Sequence, residues 1–161
     1  MTENILYLCN HGIDIIHLYA TPYIWKPLGT SCRNLPQVHI LVRILRTVSE
    51  IVCPGTLLLG EVVMESGKMV SYFGTTDKPE CRMLHNMTTM PLIWHTVATR
   101  DARLLHHQLD QIFELPKMYT FLNYLRCHDD IGWGLDYAFL GQFGQQEIPH
   151  QKYLNDYLTG K

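Results

Sequence analysis

The sequence predicts an α/β fold with a parallel sheet, and three observations carry that expectation. Short β-branched, apolar runs alternate with longer segments of helical periodicity. The runs are apolar along most of their length, as in strands buried on both faces of a parallel sheet. A chain of 161 residues with 47% hydrophobic residues can build a real core, and no repeat or low-complexity stretch divides it. The expectation is one unit over residues 1–161.

Residues 2–10 read as the end of a helix, broken by Asn10-His11-Gly12. A strand follows over 13–20. A helix is expected from Leu35 to Val52, with Asn34 as N-cap, Pro36 in the first turn, and Val38, Leu41, Val42, Leu45 and Val48 on its apolar face. Pro54-Gly55 ends it. Residues 56–64 form a second apolar strand carrying a lone carboxylate, Glu61, in a place where an unpaired charge is costly. Residues 81–86 suggest a third strand and 91–111 a long helix, with Leu92, Ile93, Val97, Leu104 and Leu105 along one face. A fourth strand over 121–127 runs directly into His128-Asp129-Asp130. This order implies right-handed βαβ units.

Charge and composition exclude several classes. Thirteen Lys and Arg against fifteen Asp and Glu give a net charge of −2, with no basic cluster for nucleic acid or an anionic membrane. No apolar run approaches the roughly 20 residues that span a bilayer. The N-terminus lacks the pattern of a signal peptide, and five cysteines include no CxxC pair, so a reduced, cytoplasmic protein is expected.

Functional groups of parallel α/β folds gather where strands end at their carboxyl side. Glu61 lies near the end of the second strand, Asp129 and Asp130 at the end of the fourth, and His17 and Tyr19 near the end of the first. Two carboxylates on neighbouring strand ends suit a glycosidase, one protonating the leaving oxygen and the other stabilising an oxocarbenium-like transition state. The plainer alternative makes Glu61 a satisfied structural carboxylate and His128-Asp129-Asp130 a helix cap.

The segments Ile13-Asp14-Ile15-Ile16-His17-Leu18-Tyr19-Ala20, Pro22-Tyr23-Ile24-Trp25-Lys26, Leu28-Gly29-Thr30-Ser31-Cys32, Leu59-Gly60-Glu61-Val62-Val63 and His128-Asp129-Asp130-Ile131-Gly132-Trp133 resemble the amylosucrase branch of the α-amylase family of retaining glycosidases. Trp94-His95-Thr96-Val97-Ala98-Thr99-Arg100 is similar to the helix after the sixth barrel strand of that branch. The resemblance implies a partial (β/α)8 TIM barrel, strands four to seven, acting on sucrose or an α-glucan by double displacement without a cofactor or metal. It implies Glu61 as general acid/base, Asp129 as transition-state stabiliser, His128 as a sugar ligand and Asp130 as a residue of the adjoining subsite.

Two departures from the family bear on activity. Its fourth strand ends in Arg-x-Asp, with the Asp as nucleophile, and here those positions are His17 and Tyr19. Tyrosine serves as nucleophile in sialidases, but a phenol of pKa near 10 needs an adjacent base. Asp14 is no substitute, lying roughly 16 Å back along the strand and on its opposite face. The second departure is length, since a barrel takes about 250 residues. The expectation is therefore an impaired segment, with three outcomes open: it pairs with another copy, pairs with a separately encoded remainder, or fails to fold stably.

Two further readings bring different chemistry. His128-Asp129 resembles the adjacent pair that ligates metal in helical phosphohydrolases, although here it follows a β-like run. Cys9, His11, Cys32, His39, Cys53, Cys81 and Cys127 lack the two-to-four spacing of structural zinc loops, which favours ordinary buried thiols. A sugar-binding remnant without turnover would keep Glu61, His128 and Asp129, with Trp25, Trp94 and Trp133 available for stacking although packing is their plainer role, and His106-His107 read as a solvated face.

Overall fold

The computed structural model describes residues 1–64, 66–126 and 134–161. They form two compact units, the first of Met1–His85 with Met118–Leu122, the second of Asn86–Lys117 with Asn123–Lys161.

The first unit is the α/β part. Its elements are α1 (Thr2–Asn10), β1 (Ile15–Leu18), α2 (Pro36–Val52), β2 (Leu57–Gly60), the short α3 (Ser66–Met69), β3 (Met83–His85) and β4 (Thr120–Leu122). The strands are parallel and lie in chain order, with Leu18 beside Gly60, Gly60 beside Leu84 and Leu84 beside Phe121. Ile16, Leu18, Leu58 and Leu84 point to one face and join Ile5 of α1 and Val38, Val42 and Leu45 of α2 in one core. Gly60 is required where β2 meets β3, because a Cβ there would lie 2.8 Å from Cys81 Sγ and 2.9 Å from Leu84 Cδ2.

The strands are shorter than their apolar runs, and β1 is not buried on both faces. Ile15 and His17 are exposed while Ile16 and Leu18 are buried, because α1 and α2 cover only the face to which Ile16 and Leu18 point. On the other face Leu57, Met83 and His85 are half-buried and Leu59 is buried. Asn34 does not cap α2. It adopts φ +55°, Leu35 holds the N-cap position, and the Asn34 side chain instead accepts a hydrogen bond from the Tyr72 hydroxyl at 2.8 Å. Of the thiols, Cys81 is buried and Cys9, Cys32 and Cys53 are half-buried.

Glu80, which precedes β3, is a buried carboxylate that sequence reading passes over. It sits 2.8 Å from His39 Nδ1 and 3.1 Å from the Arg43 guanidinium, and its carbonyl accepts from Arg46 at 3.0 Å. Three successive turns of α2 thereby grip the chain entering β3.

The second unit is helical: α4 (Thr89–Thr99), α5 (Arg103–Phe113), α6 (Tyr137–Gly141) and α7 (Glu147–Thr159). The long helix expected over 91–111 is two helices, since Arg100 turns left-handed at φ +57° and Asp101 Oδ1 accepts from the Arg103 N–H at 3.0 Å, starting α5. Leu92, Ala98, Leu104, Leu135, Leu140 and Leu154 make its core. Beside that core the buried rings of His95 and His150 meet at 3.1 Å, Nδ1 to Nε2, and His150 Nδ1 lies 3.3 Å from the Tyr137 hydroxyl. Burial pushes both imidazoles below the ordinary histidine range.

Candidate functional site

Backbone pairing continues one residue past β2 and fixes Glu61. Its N–H donates to Leu18 O at 3.1 Å, and its carbonyl accepts from Thr21 N at 3.0 Å. Thr21 in turn donates its hydroxyl to Leu18 O at 2.7 Å, closing the turn in which Ala20 takes φ +46°. The carboxylate therefore emerges at the carboxyl end of the sheet, on the face opposite α1 and α2.

There it meets His17. Nε2 of His17 lies 2.9 Å from Glu61 Oε2, with the Glu61 side chain 16% exposed and the imidazole 42%. The His85 ring lies 4.7 Å from the His17 ring, and Tyr19 stands edge-on to it at 6.3 Å. His17, Tyr19 and Glu61, three of the residues singled out from sequence, thus come together. His85 was missed, although its place at the end of the third apolar run put it at the same level of the sheet. Asp14 precedes β1 at the opposite end, where its carbonyl accepts from Leu57 N at 2.8 Å.

The remaining sequence candidates, His128, Asp129 and Asp130, lie outside the described residues, as do Cys127 and Trp133. Trp94 donates its indole N–H to Leu125 O at 2.9 Å, while Trp25 is exposed. Among the described residues no three His, Cys, Asp or Glu side chains gather as a metal site, and His39 is taken by Glu80. No described helix is long and apolar enough to cross a membrane.

A carboxylate hydrogen-bonded to an imidazole can donate, accept or relay a proton to a hydroxyl placed over the strand ends. Four parallel strands in chain order, with helices between them, define the class by fold: a stretch of a TIM barrel. The fold is shared with the crystal structure of sucrose 6F-phosphate phosphorylase from Thermoanaerobacter thermosaccharolyticum, at a TM-score of 0.70 and 22% identity over 94% of this chain and 27% of that one. In sequence the chain is 34% identical to a glucosylglycerate phosphorylase of Allomeiothermus silvanus over 81% of its length and 23% of the relative. It is 31% identical to the Spirochaeta thermophila glucosylglycerate phosphorylase over 82% of the chain and 22% of that protein. A trehalose synthase/amylase of Mycobacterium tuberculosis is 32% identical over 81% of the chain and 22% of its own length. No protein-family model matches. These relatives are members of the α-amylase family of glycoside hydrolases and transferases, and the chain spans less than a quarter of their length.

Proposed function

We propose that these 161 residues are one stretch, barrel strands four to seven, of a catalytic domain acting on α-glucosides such as sucrose or an α-glucan, and that this stretch does not turn substrate over by itself. The observation that carries the reading is the Glu61 carboxylate held 2.9 Å from His17 at the carboxyl ends of parallel strands. In this reading Glu61 is the general acid/base, Asp129 stabilises the transition state, His128 binds the sugar and Asp130 lines the next subsite.

Tyr19 occupies the nucleophile position and His17 that of its orienting arginine. A retaining mechanism needs a carboxylate about 5 Å across the sugar from the acid/base. A phenol is neutral near pH 7 and supplies no such anion. What remains is sugar binding with a proton donor in place. β1 and β4 each pair with one neighbour among the described residues, so the reading includes completion by a second copy or a separate barrel half.

The test is a thermal melt of the purified chain with and without excess sucrose, together with an assay of released glucose and fructose. A transition that rises with sucrose and no released sugar is the expected result, since a ligand bound only by the folded state stabilises it. Sucrose turnover by the unaltered chain would overturn the reading. The Tyr19→Asp, His17→Arg variant of these 161 residues is expected to stay inactive, since four strands do not close a barrel.

A further inference from the structure

Two of the half-buried thiols stand at the ends of neighbouring helices. Cys9 lies in the last turn of α1, and Cys53 is the residue at which α2 stops. The two helix ends lie side by side because α1 and α2 pack on the same core through Ile5, Val38, Val42 and Leu45, with Cys9 itself against that core. The turns that follow the two helices are then laced side by side as they enter adjacent strands. Leu57 N donates to Asp14 O at 2.8 Å and the Thr56 hydroxyl to Ile13 O at 3.4 Å, while Cys9 O and Cys53 O each accept within their own turns, from Gly12 N at 3.0 Å and Thr56 N at 2.9 Å. The Cys53 thiol is pushed up by burial, then by its side-chain hydrogen bond with Cys9 and the charge the two would share.

We propose that Cys9 and Cys53 form a reversible dithiol–disulfide clasp at the foot of the sheet, closed by a low-molecular-weight disulfide such as oxidised glutathione. One cysteine thiolate attacks a sulfur of oxidised glutathione, forming a mixed disulfide and releasing one glutathione thiolate. The second cysteine thiolate attacks the protein sulfur of that intermediate and releases the other. The protein gives up two electrons and two protons, and oxidised glutathione leaves as two molecules of the thiol.

The other described cysteines have different surroundings. Cys81 is buried, its thiol pushed up to about 12 by burial and then by Glu80, and Cys32 points its thiol at Pro27 O, 3.4 Å away in its own loop. The clasp also lies at the opposite end of β1 and β2 from His17 and Glu61. It ties the first helix to the end of the second, restricting the unfolded chain without reshaping the site.

The experiment incubates the full chain in glutathione buffers of graded redox poise, alkylates the remaining thiols and maps linked peptides by mass spectrometry, with a thermal melt on each sample. The expected result is a Cys9–Cys53 link within one chain and a melting temperature raised by roughly 10 °C, both reversed by dithiothreitol. Cys53→Ser loses the link and the rise, whereas Cys32→Ser keeps both. The proposal is overturned if Cys9 and Cys53 stay alkylatable in the most oxidising buffer, if the link joins other cysteines or two chains, or if the link forms without raising the melt.

Discussion

Alternate residues of the same four strands build two faces of opposite character. Towards α1 and α2, Leu58 and Leu84 are 0% exposed and Ile16 and Leu18 nearly so, and they share one core with Ile5, Val38, Val42 and Leu45. On the other face the carboxyl ends carry His17, Glu61 and His85 within one cluster, beside an exposed Tyr19. One face is specified by volume and the other by chemistry. The difference predicts that substitutions one residue apart in β1 and β2 act on different properties.

The largest effect belongs to the helix-covered face. Leu58→Ala empties a fully buried site between the sheet and α2, and is expected to lower stability by about 3 kcal/mol, read from urea unfolding. A loss under 1 kcal/mol would mean that this face is not the core. Glu80→Ala comes next. It removes the carboxylate that His39 and Arg43 share, and because both partners retain partial access to water the expected loss is about 2 kcal/mol. Glu80→Gln should lose less, since the amide oxygen still accepts one of the two hydrogen bonds.

These residues also mark where sequence reading stopped. Periodicity and breakers placed α1, α2 and the first three strands of the first unit, because an apolar run bounded by Gly or Pro leaves few alternatives, whereas the run expected over 121–127 is strand only at Phe121 and Leu122 within β4. It joined α4 to α5, because the apolar face continues in phase across Arg100 and Asp101 and only the left-handed turn interrupts it. Asn34 looked like a cap and serves Tyr72 instead, a contact 38 positions away that no local pattern encodes. The candidate site was legible in Glu61, a charge inside an apolar run. Its partner was legible only as the occupant of a familiar position, and Glu80 not at all, since a Glu between Pro79 and Cys81 carries no sign of burial.

Two smaller effects test how closely β2 and β3 approach. Gly60→Ala forces a methyl group against Cys81 Sγ and Leu84, with an expected cost of about 1.5 kcal/mol by the same unfolding measurement. Burial also makes Cys81 a reporter of alkaline pH. Its thiol is pushed up to about 12 in the fold, above its value in the unfolded chain, so the unfolded state loses its proton first as pH rises. The stability this contributes is complete below about pH 8.5, the ordinary thiol value, and is lost as pH climbs towards 12. Melting temperatures measured from pH 8 to 11 should fall, and Cys81→Ala should flatten part of that fall. An unchanged slope in the variant would assign the alkaline sensitivity to other groups.

The smallest stability effect is expected where the chemistry is densest. His17 is two-fifths exposed and its pairing with Glu61 is open to solvent, so His17→Ala should cost under about 1 kcal/mol. The same substitution takes away the imidazole that pairs with Glu61 from β1, leaving its carboxylate in place but no longer oriented by that contact. It should therefore abolish the sucrose-dependent rise in melting temperature while leaving the sugar-free melt within about 3 °C of the unaltered chain. Were His17→Ala to cost as much as Leu58→Ala, the two faces would not differ in kind, and the imidazole–carboxylate pair would be a structural tie of the sheet. A small cost together with a lost sugar response would instead separate the face that holds the fold from the face that meets the ligand.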